Sequence, residues 1–325
     1  MTGGPDPLDE FGLIARLMRP LTRGAPEALE LLDDAAVLPS RPGFDLVVTK
    51  DMIVEGVHFL PSDPLDLVAR KLLRVNLSDL AAKAAQPYGW FLSIAWPHGR
   101  GLAEREAFAA GLMVDQGQYG LSLFGGDTTA TPGPLTASAT LMGWVPQGRM
   151  LKRSGARPGD MVLVSGVIGD GWLGLKAALG QIKAEGALQR YRLPEPRLAL
   201  RDALSAAHAG ADVSDGLIAD AGHIAAASGV AIDIDLERIP LSVEGLAYIG
   251  RAGDRVAALS DLVTGGDDYE LVVTAAPERA GHLVAAAETA GIRMTAIGRV
   301  GEGQGVRVLY DGRETHLERR GYRHS

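Results

Sequence analysis

The sequence predicts a mixed α/β (α+β) protein built from two domains. Three observations support this prediction: a length of 325 residues, strand-like and helix-like segments mixed in both halves, and a turn-forming Pro146-Gln147-Gly148 segment between them. A chain of this length is long for a single hydrophobic core, so two cores are expected. We place the boundary near residue 147, which gives domains of residues 1–147 and 148–325.

The N-terminal half contains apolar runs that predict strands and spaced apolar residues that predict helices. Leu65, Val68 and Leu72 recur at helical spacing and mark one side of the first long helix. The predicted strands are 44–49, 121–124 and 135–145, and the predicted helices are 65–85 and 103–118. These segments predict a mixed sheet with helices.

The C-terminal half alternates between the same two kinds of segment. Pro194 and Pro196 predict the start of a helix, because proline is well tolerated in a first helical turn. The predicted helices are 171–179, 197–208, 212–228 and one within 276–291. The predicted strands are 161–165, 231–236, 271–274, 294–300 and 306–310. This half is therefore predicted to be an α/β domain.

Composition excludes several classes of function. The chain has no cysteine, which excludes a disulfide scaffold, a thiolate nucleophile and a cysteine-based zinc site. Its formal net charge of −8 disfavours general nucleic-acid binding, which depends on Lys and Arg. We see no signal peptide and no apolar run of about 18 residues, so we expect a cytoplasmic protein without a membrane span.

Aspartates recur where an apolar stretch meets Gly, Ser or Thr, and this context suits magnesium. Mg²⁺ prefers carboxylates together with water and substrate phosphates, while glycine lets a phosphate approach the backbone. Each case taken singly is better explained as a turn or a helix cap. Five cases in one chain favour metal binding. They are Asp33-Asp34, Thr49-Lys50-Asp51, Gly126-Asp127, Asp212-Val213-Ser214-Asp215 and Gly266-Asp267-Asp268.

Three aspartates have further local predictions. Asp212 and Asp215 are three residues apart at the start of the predicted helix 212–228, so we expect them to share a face, with Ser214 or Asp212 as the N-cap. The positive end of that helix suits a phosphate. Asp79 lies inside the predicted helix 65–85, and the residues alone favour a surface pair with Lys83.

Common catalytic signatures are missing from the sequence. It has no P-loop, no protein-kinase HRD and DFG pattern, no G-x-S-x-G elbow and no H-E-x-x-H zinc motif. Gly166 to Gly171 follows a predicted strand, but its glycine spacing is wrong for a dinucleotide-binding fingerprint. A turn between strand and helix is the better interpretation.

Ordered motifs over nearly the whole chain resemble those of the thiamine-monophosphate kinase family. The wider superfamily includes aminoimidazole ribonucleotide synthetase and selenophosphate synthetase. The motifs are Glu10-Phe11, Asp33-Asp34-Ala35-Ala36, Gly56-Val57-His58-Phe59, Asn76-Leu77-Ser78-Asp79-Leu80, Gly125-Gly126-Asp127-Thr128-Thr129, Arg153-Ser154-Gly155, Ser214-Asp215-Gly216-Leu217 and Gly265-Gly266-Asp267-Asp268-Tyr269-Glu270-Leu271.

The resemblance implies ATP-dependent phosphorylation of thiamine monophosphate to thiamine diphosphate, with several Mg²⁺ ions and a homodimer that packs through its N-terminal sheets. It implies direct transfer, without a covalent nucleophile or a general base. The implied metal ligands are Asp34, Thr49, Asp51, Asp79, Asp127, Asp212 and Asp215. The implied ATP contacts are Gly126, Asp127, Arg153 and Ser214. The implied substrate contacts are His58, Asp267 and Tyr322.

The chain departs from the family pattern at a few positions. Leu32 replaces a glycine, Lys50 replaces a small hydroxyl residue, and Asp267 replaces a glutamate. The ending 321–325 follows the family only loosely. We expect Lys50 to alter one metal position, or its ammonium to replace part of one.

Two other functions remain open at this point. One is another ATP-using synthetase of the same superfamily, although the missing cysteine and the 265–271 motif disfavour the two named above. The other is a non-catalytic nucleotide or metal sensor. The presence of every implied metal aspartate argues against a sensor.

Overall fold

The computed structural model describes residues 10–322, with side chains from Gly12 onward. The chain forms two compact units. One contains the residues up to Leu80 together with Gln86–Gly148, and the other contains Ala81–Ala85 and the chain from Arg149 onward. Each unit has its own sheet and helices, which confirms the predicted mixed α/β class.

The first unit is built on a four-stranded sheet in the order β1-β4-β2-β3. Its strands are β1 (Phe44–Val54), β2 (Gln86–Pro97), β3 (Leu123–Thr131) and β4 (Thr136–Pro146), and its helices are α1 (Glu10–Leu13), α2 (Leu65–Ala82) and α3 (Leu102–Tyr119). A π-helical turn (Ile14–Met18) and two 3₁₀ segments (Arg19–Thr22, Pro26–Leu31) follow α1. β2 and β3 are parallel, whereas the other pairs are antiparallel.

Alternation along β2 places the core on one face of this sheet. Trp90, Leu92, Ile94 and Trp96 are all buried and lie on the same side of the strand. Trp96 meets Phe108 of α3 edge-on, with ring centroids 5.4 Å apart. The helical layer therefore covers this face.

The second unit has a seven-stranded sheet in the order β11-β10-β7-β9-β5-β8-β6. Its strands are β5 (Met161–Ser165), β6 (Ala209–Asp212), β7 (Ala231–Asp235), β8 (Leu271–Ala275), β9 (Met294–Gly301), β10 (Gly305–Tyr310) and β11 (Arg313–Glu314). Its helices are α4 (Asp170–Ala178), α5 (Glu185–Arg192), α6 (Leu217–Ser228), α7 (Val243–Arg251), α8 (Arg255–Thr264) and α9 (Pro277–Thr289).

Both faces of this second sheet are covered. Val162 and Val164 of β5 belong to one core cluster, while Leu163 between them belongs to another. The same alternation separates Val272 from Val273 on β8. Among the described residues, no helix is both long and apolar enough to cross a membrane.

Several sequence predictions are wrong in detail. The segment predicted as the helix 197–208 forms two 3₁₀ turns, Leu198–Leu200 and Ala203–Ala206. β2 was not predicted, although its apolar residues alternate. The helices α5, α7 and α8 were also not predicted.

The predicted helix 212–228 is wrong at its start, and the correction affects the site. Asp212 ends β6, and α6 begins only at Leu217, with Gly216 as its N-cap. Asp212 and Asp215 therefore do not share a helix face, and neither Asp212 nor Ser214 caps the helix.

Asp268 generates a prediction about the pH dependence of stability. Although the residue as a whole is half-buried, its carboxyl group is enclosed, and it accepts hydrogen bonds from the N–H groups of Gly169 and Gly171. Burial, opposed by these two hydrogen bonds, raises its pKa well above the ordinary value, and the charges of Asp170 and Glu270 raise it further.

The folded state therefore retains this proton to a higher pH than the unfolded chain does. The free energy of unfolding should fall as pH rises from about 4 through the folded pKa, by up to about 1.4 kcal/mol per pH unit from this group. Asp268→Asn should reduce this slope in urea unfolding measured at several pH values. Asp202→Asn, at a side chain that is 88% exposed, should keep the wild-type slope. An unchanged slope in Asp268→Asn would contradict the assignment.

Candidate metal and nucleotide site

Three implied metal ligands of the first unit lie on β1 and α2. Thr49 and Asp51 are two residues apart on β1 and so occupy the same face of the strand. The Thr49 hydroxyl donates a hydrogen bond to the Asp79 carboxylate of α2. The backbone N–H of Asp51 donates to Asn76, one helical turn before Asp79, at 2.9 Å. The pairing of β1 with α2 therefore gathers hydroxyl and carboxylate oxygens in one place.

Two departures from the family pattern are exposed positions. Lys50 is exposed, and strand alternation places it on the face opposite Thr49 and Asp51. Leu32 is 71% exposed. The Lys50 ammonium therefore points away from the oxygens that the strand presents toward α2.

A second group in the same unit surrounds a cavity of about 540 Å³. Asp34 enters it from the segment before β1, and Gly126 and Asp127 enter it from β3. Phe91 and Ser93 of β2 also line it. Asp34 and Asp127 are both exposed, so their carboxylates are accessible to a cation or to a phosphate-bound ion.

Gly126 has a packing requirement that sequence reasoning did not supply. The sequence predicted that a strand ends before Gly125, yet Gly126 and Asp127 lie inside β3. A Cβ at Gly126 would lie 1.9 Å from the backbone oxygen of Leu92. Glycine is therefore needed for β3 to pair closely with β2, whatever ligand it contacts.

His58 lies in the turn after β1 and is held from two sides. The N–H of Val54 donates to its Nδ1 at 3.1 Å, and the buried Lys71 donates from Nζ to its backbone oxygen at 3.0 Å. Because Nδ1 accepts a hydrogen bond, the neutral ring carries its hydrogen on Nε2. The ring therefore presents a hydrogen-bond donor at Nε2.

In the second unit, Asp212 ends β6, and the loop after it carries Ser214 and Asp215. Asp212 is buried and pairs in register with Leu271 of β8. The pairing continues beyond the strand ends: the N–H of Tyr269 donates to the oxygen of Val213, and the N–H of Asp267 donates to the oxygen of Ser214. These backbone bonds bring Ser214 and Asp267 together.

Asp220, in the first turn of α6, anchors this loop. Its Oδ2 accepts the N–H groups of both Ser214 and Asp215 at 3.1 Å. Burial and, secondarily, the Asp215 charge raise the pKa of Asp220 to about 7, while the two N–H bonds and the positive charge of Arg153 oppose the rise. Arg153, Ser214 and Asp215 therefore surround one carboxylate.

Two further segments converge on the same loop. Asp267 has a φ of 63°, and a Cβ at the adjacent Gly266 would lie 2.6 Å from the oxygen of Ser214, so the contact needs glycine there. The N–H of Tyr322 donates to the oxygen of Asp215 at 2.8 Å, and half of the Tyr322 residue surface is exposed. The last residues of the ending, 323–325, lie outside the described part of the chain.

Sequence reasoning missed four residues that support these groups: Asn76, Lys71, Asp220 and His223. Asp220 had a usable signal, because a carboxylate in the first turn of a helix can accept N–H groups of the preceding loop. His223 lies one turn further along α6, where its ligand atom comes within 4.8 Å of those of Asp215 and Asp220. Lys71 had no local signal, since its contact with His58 depends on the fold.

Two family models match the chain. The AIR synthase related protein N-terminal domain covers residues 32–145, and the AIR synthase related protein C-terminal domain covers residues 157–311. Together they span most of both units. They include every implied site residue except Arg153 and Tyr322.

Individual relatives narrow the family assignment further. The thiamine-monophosphate kinase of Caulobacter vibrioides is 56% identical over 98% of this chain and 91% of its own length. The crystal structure of thiamine-monophosphate kinase from Stenotrophomonas maltophilia is 40% identical, with a TM-score of 0.83 over 95% of this chain and 98% of that one. A structure of AaThiL complexed with AMPPCP and TMP is 32% identical, with a TM-score of 0.76 over 99% of both chains. The chain belongs to the thiamine-monophosphate kinase family.

Proposed function

We propose that this protein transfers the γ-phosphate of ATP to thiamine monophosphate, the last step in making thiamine diphosphate. One observation carries the proposal. Asp267 and Tyr322 both contact the loop of the second unit that carries Ser214 and Asp215. The names of the relatives, and the AMPPCP and TMP in the AaThiL complex, support the same reaction.

The reaction is a direct in-line transfer. An oxygen of the substrate's phosphate monoester attacks the γ-phosphorus of ATP, and the bond to the departing ADP breaks. The attacking oxygen is already largely ionised near pH 7, so neither a general base nor a covalent nucleophile is required. The protein's task is to hold two anionic groups in line.

The hydroxyl and carboxylate groups described in both units are suitable ligands for magnesium. Mg²⁺ takes oxygen ligands in near-octahedral geometry, and Thr49 and Asp79 already present a hydroxyl and a carboxylate to each other. We assign Asp34, Asp51, Asp127, Asp212 and Asp215 to the same task. Bound Mg²⁺ supplies positive charge that offsets repulsion between the donor and acceptor phosphates.

The remaining contacts divide between nucleotide and substrate. For ATP we assign Gly126, Asp127, Ser214 and Arg153, whose guanidinium pairs with phosphate oxygens. For thiamine monophosphate we assign His58, whose Nε2–H can donate to a phosphate oxygen. We also assign Tyr322, which can stack on the cationic rings, and Asp267, which can offset their charge. In these assignments the first domain contributes ATP, metal and substrate contacts, and the second contributes further metal, phosphate and substrate contacts.

We further propose a cytoplasmic homodimer that associates through the sheets of the first unit. On β1 the side chains of Leu46, Val48 and Met52 lie on one face, which Lys50 shares, and are exposed by 36%, 56% and 51%. Three exposed apolar residues on one strand face favour burial against another surface. A second copy of the same strand offers a matching face, as a two-fold interface requires.

The activity itself is the first test. Purified protein incubated with ATP, Mg²⁺ and thiamine monophosphate should release thiamine diphosphate and ADP in equal amounts, measured by chromatography. Thiamine without its phosphate should give no product, because it lacks the acceptor oxygens. Folded protein that makes no thiamine diphosphate in excess Mg²⁺ would refute the assignment and favour a sensor or another synthetase.

Asp79 should be essential for turnover but not for folding. Asp79→Asn keeps an oxygen that can accept from Thr49, so the melting temperature without Mg²⁺ should stay near that of the wild type. It removes a charged metal ligand, so kcat should fall by at least about 100-fold. Asp66→Asn, in the first turn of the same helix, should retain activity. Full activity in Asp79→Asn would favour a structural role for the carboxylate.

The proposed dimer should dissociate when charge is placed on the β1 face. The wild type should sediment as two chains of 34.1 kDa each. Val48→Glu should give single chains, because a buried unpaired carboxylate is costly. Val243→Glu, on α7 of the second unit where the valine is 80% exposed, should leave the mass unchanged. A Val48→Glu protein that still sediments as two chains would place the interface elsewhere.

A further inference from the structure

Three ionisable side chains meet at the start of α6 in an arrangement that the proposed kinase reaction does not use as a set. Asp215, Asp220 and His223 each offer one ligand atom, and these atoms lie within 4.8 Å of one another. Asp220 and His223 are three residues apart on α6, so they project from the same side of the helix. Asp215 belongs to the loop that Asp220 anchors.

The state of the Asp220 carboxylate points to a ligand. Its Oδ2 is engaged by the N–H groups of Ser214 and Asp215. Its Oδ1 has no hydrogen-bond partner within the described part of the chain, although the residue is only 1% exposed. A buried carboxylate oxygen without a partner is unfavourable, so a bound group that contacts it would stabilise this arrangement.

We propose that Asp215, Asp220 and His223 form a binding site for a divalent transition-metal ion. Two carboxylate oxygens and one imidazole nitrogen suit ions such as Co²⁺ and Zn²⁺, whereas Mg²⁺ prefers oxygen ligands alone. This donor set therefore differs from the hydroxyl and carboxylate group formed by Thr49 and Asp79 in the first unit.

The geometry is compatible with a single ion. Metal–ligand bonds of about 2.1 Å place neighbouring ligand atoms about 3 to 4 Å apart. His223 is exposed, so rotation of its side chain can close the remaining gap. Arg153 contributes one positive charge nearby, which two carboxylates outweigh. Because His223 is exposed, an ion can reach its imidazole directly from solvent.

A metal ion at this site would affect the proposed kinase reaction, although the existence of the site does not depend on that reaction. Asp215 is also among the ligands that we assign to Mg²⁺ beside the phosphates. An ion held by His223 and Asp220 engages the same carboxylate. Binding of a transition metal at this site and use of Asp215 in the Mg²⁺ set are therefore linked.

The test is a Co²⁺ titration of the full-length, nucleotide-free protein in excess Mg²⁺, followed by calorimetry and by visible absorption. Excess Mg²⁺ occupies the oxygen-only groups. At Asp215 it lacks the phosphates that complete its ligand set in nucleotide-free protein, so Co²⁺, which favours an imidazole ligand, is expected to take one site per chain there. His223→Gln should weaken this site by at least about tenfold, in line with the loss of a metal-site contact. His282→Gln replaces an exposed histidine of α9 in the same unit and should bind as the wild type does.

Either of two results would overturn the proposal. One is wild-type protein that binds no Co²⁺ in the presence of excess Mg²⁺. The other is His223→Gln protein, folded by circular dichroism, that binds Co²⁺ as tightly as the wild type. Both results are independent of kinase turnover, so failure here leaves the activity assay to decide the proposed function separately.

Discussion

The antiparallel pairing of β6 with β8 is the constraint on which the candidate site of the second unit depends. It begins as ordinary sheet register, with Asp212 opposite Leu271, and continues as backbone hydrogen bonds into both loops. Two loops far apart in sequence thus become neighbours at one edge of the sheet. The backbone conformation needed for this is unusual, since Asp267 and Tyr269 both adopt positive φ values. Residues held in such conformations cluster at functional sites, because the surrounding structure must impose them.

Beneath these loops lies a buried ion pair that keeps β8 aligned. Glu270 is 2% exposed and accepts two hydrogen bonds from Arg197 and one from Ser165. A buried carboxylate is tolerated when its oxygens are fully paired in this way, and removing one partner strands the other charge. Gly166 makes room for the group, because a Cβ there would lie 1.9 Å from a Glu270 oxygen. The acidic loop residues therefore lie next to a carboxylate that is paired with Arg197.

Local patterns in the sequence predicted much of the fold but not the irregular segments. Apolar runs identified β1 and β4, and the helical spacing of apolar residues identified α2, since both signals are local properties of the sequence. The segment 197–208 was predicted to be helical because prolines precede it. In the structure Arg197 is buried in an ion pair with Glu270, and the chain there forms 3₁₀ turns. For the candidate site, the aspartates could be chosen by their Gly, Ser and Thr neighbours. Lys71 could not, because its contact with His58 depends on tertiary structure. Asp220 was missed because the helix was predicted to begin at residue 212, which hid its place in the first turn of α6.

The contrast between Asp79 and Asp220 explains how carboxylates can bind ligands without destabilising the folded protein. Asp79 is half-buried, and its carboxylate has a hydroxyl partner in Thr49, so its charge stays partly solvated and is accessible to a cation. Asp220 is buried, and its pKa of about 7 reflects the cost of ionising it there. It retains that position because Oδ2 holds two loop N–H groups, which no apolar side chain can do. Asp79 therefore suits the direct binding of a metal, whereas Asp220 must first hold the loop and can offer only its second oxygen to a ligand.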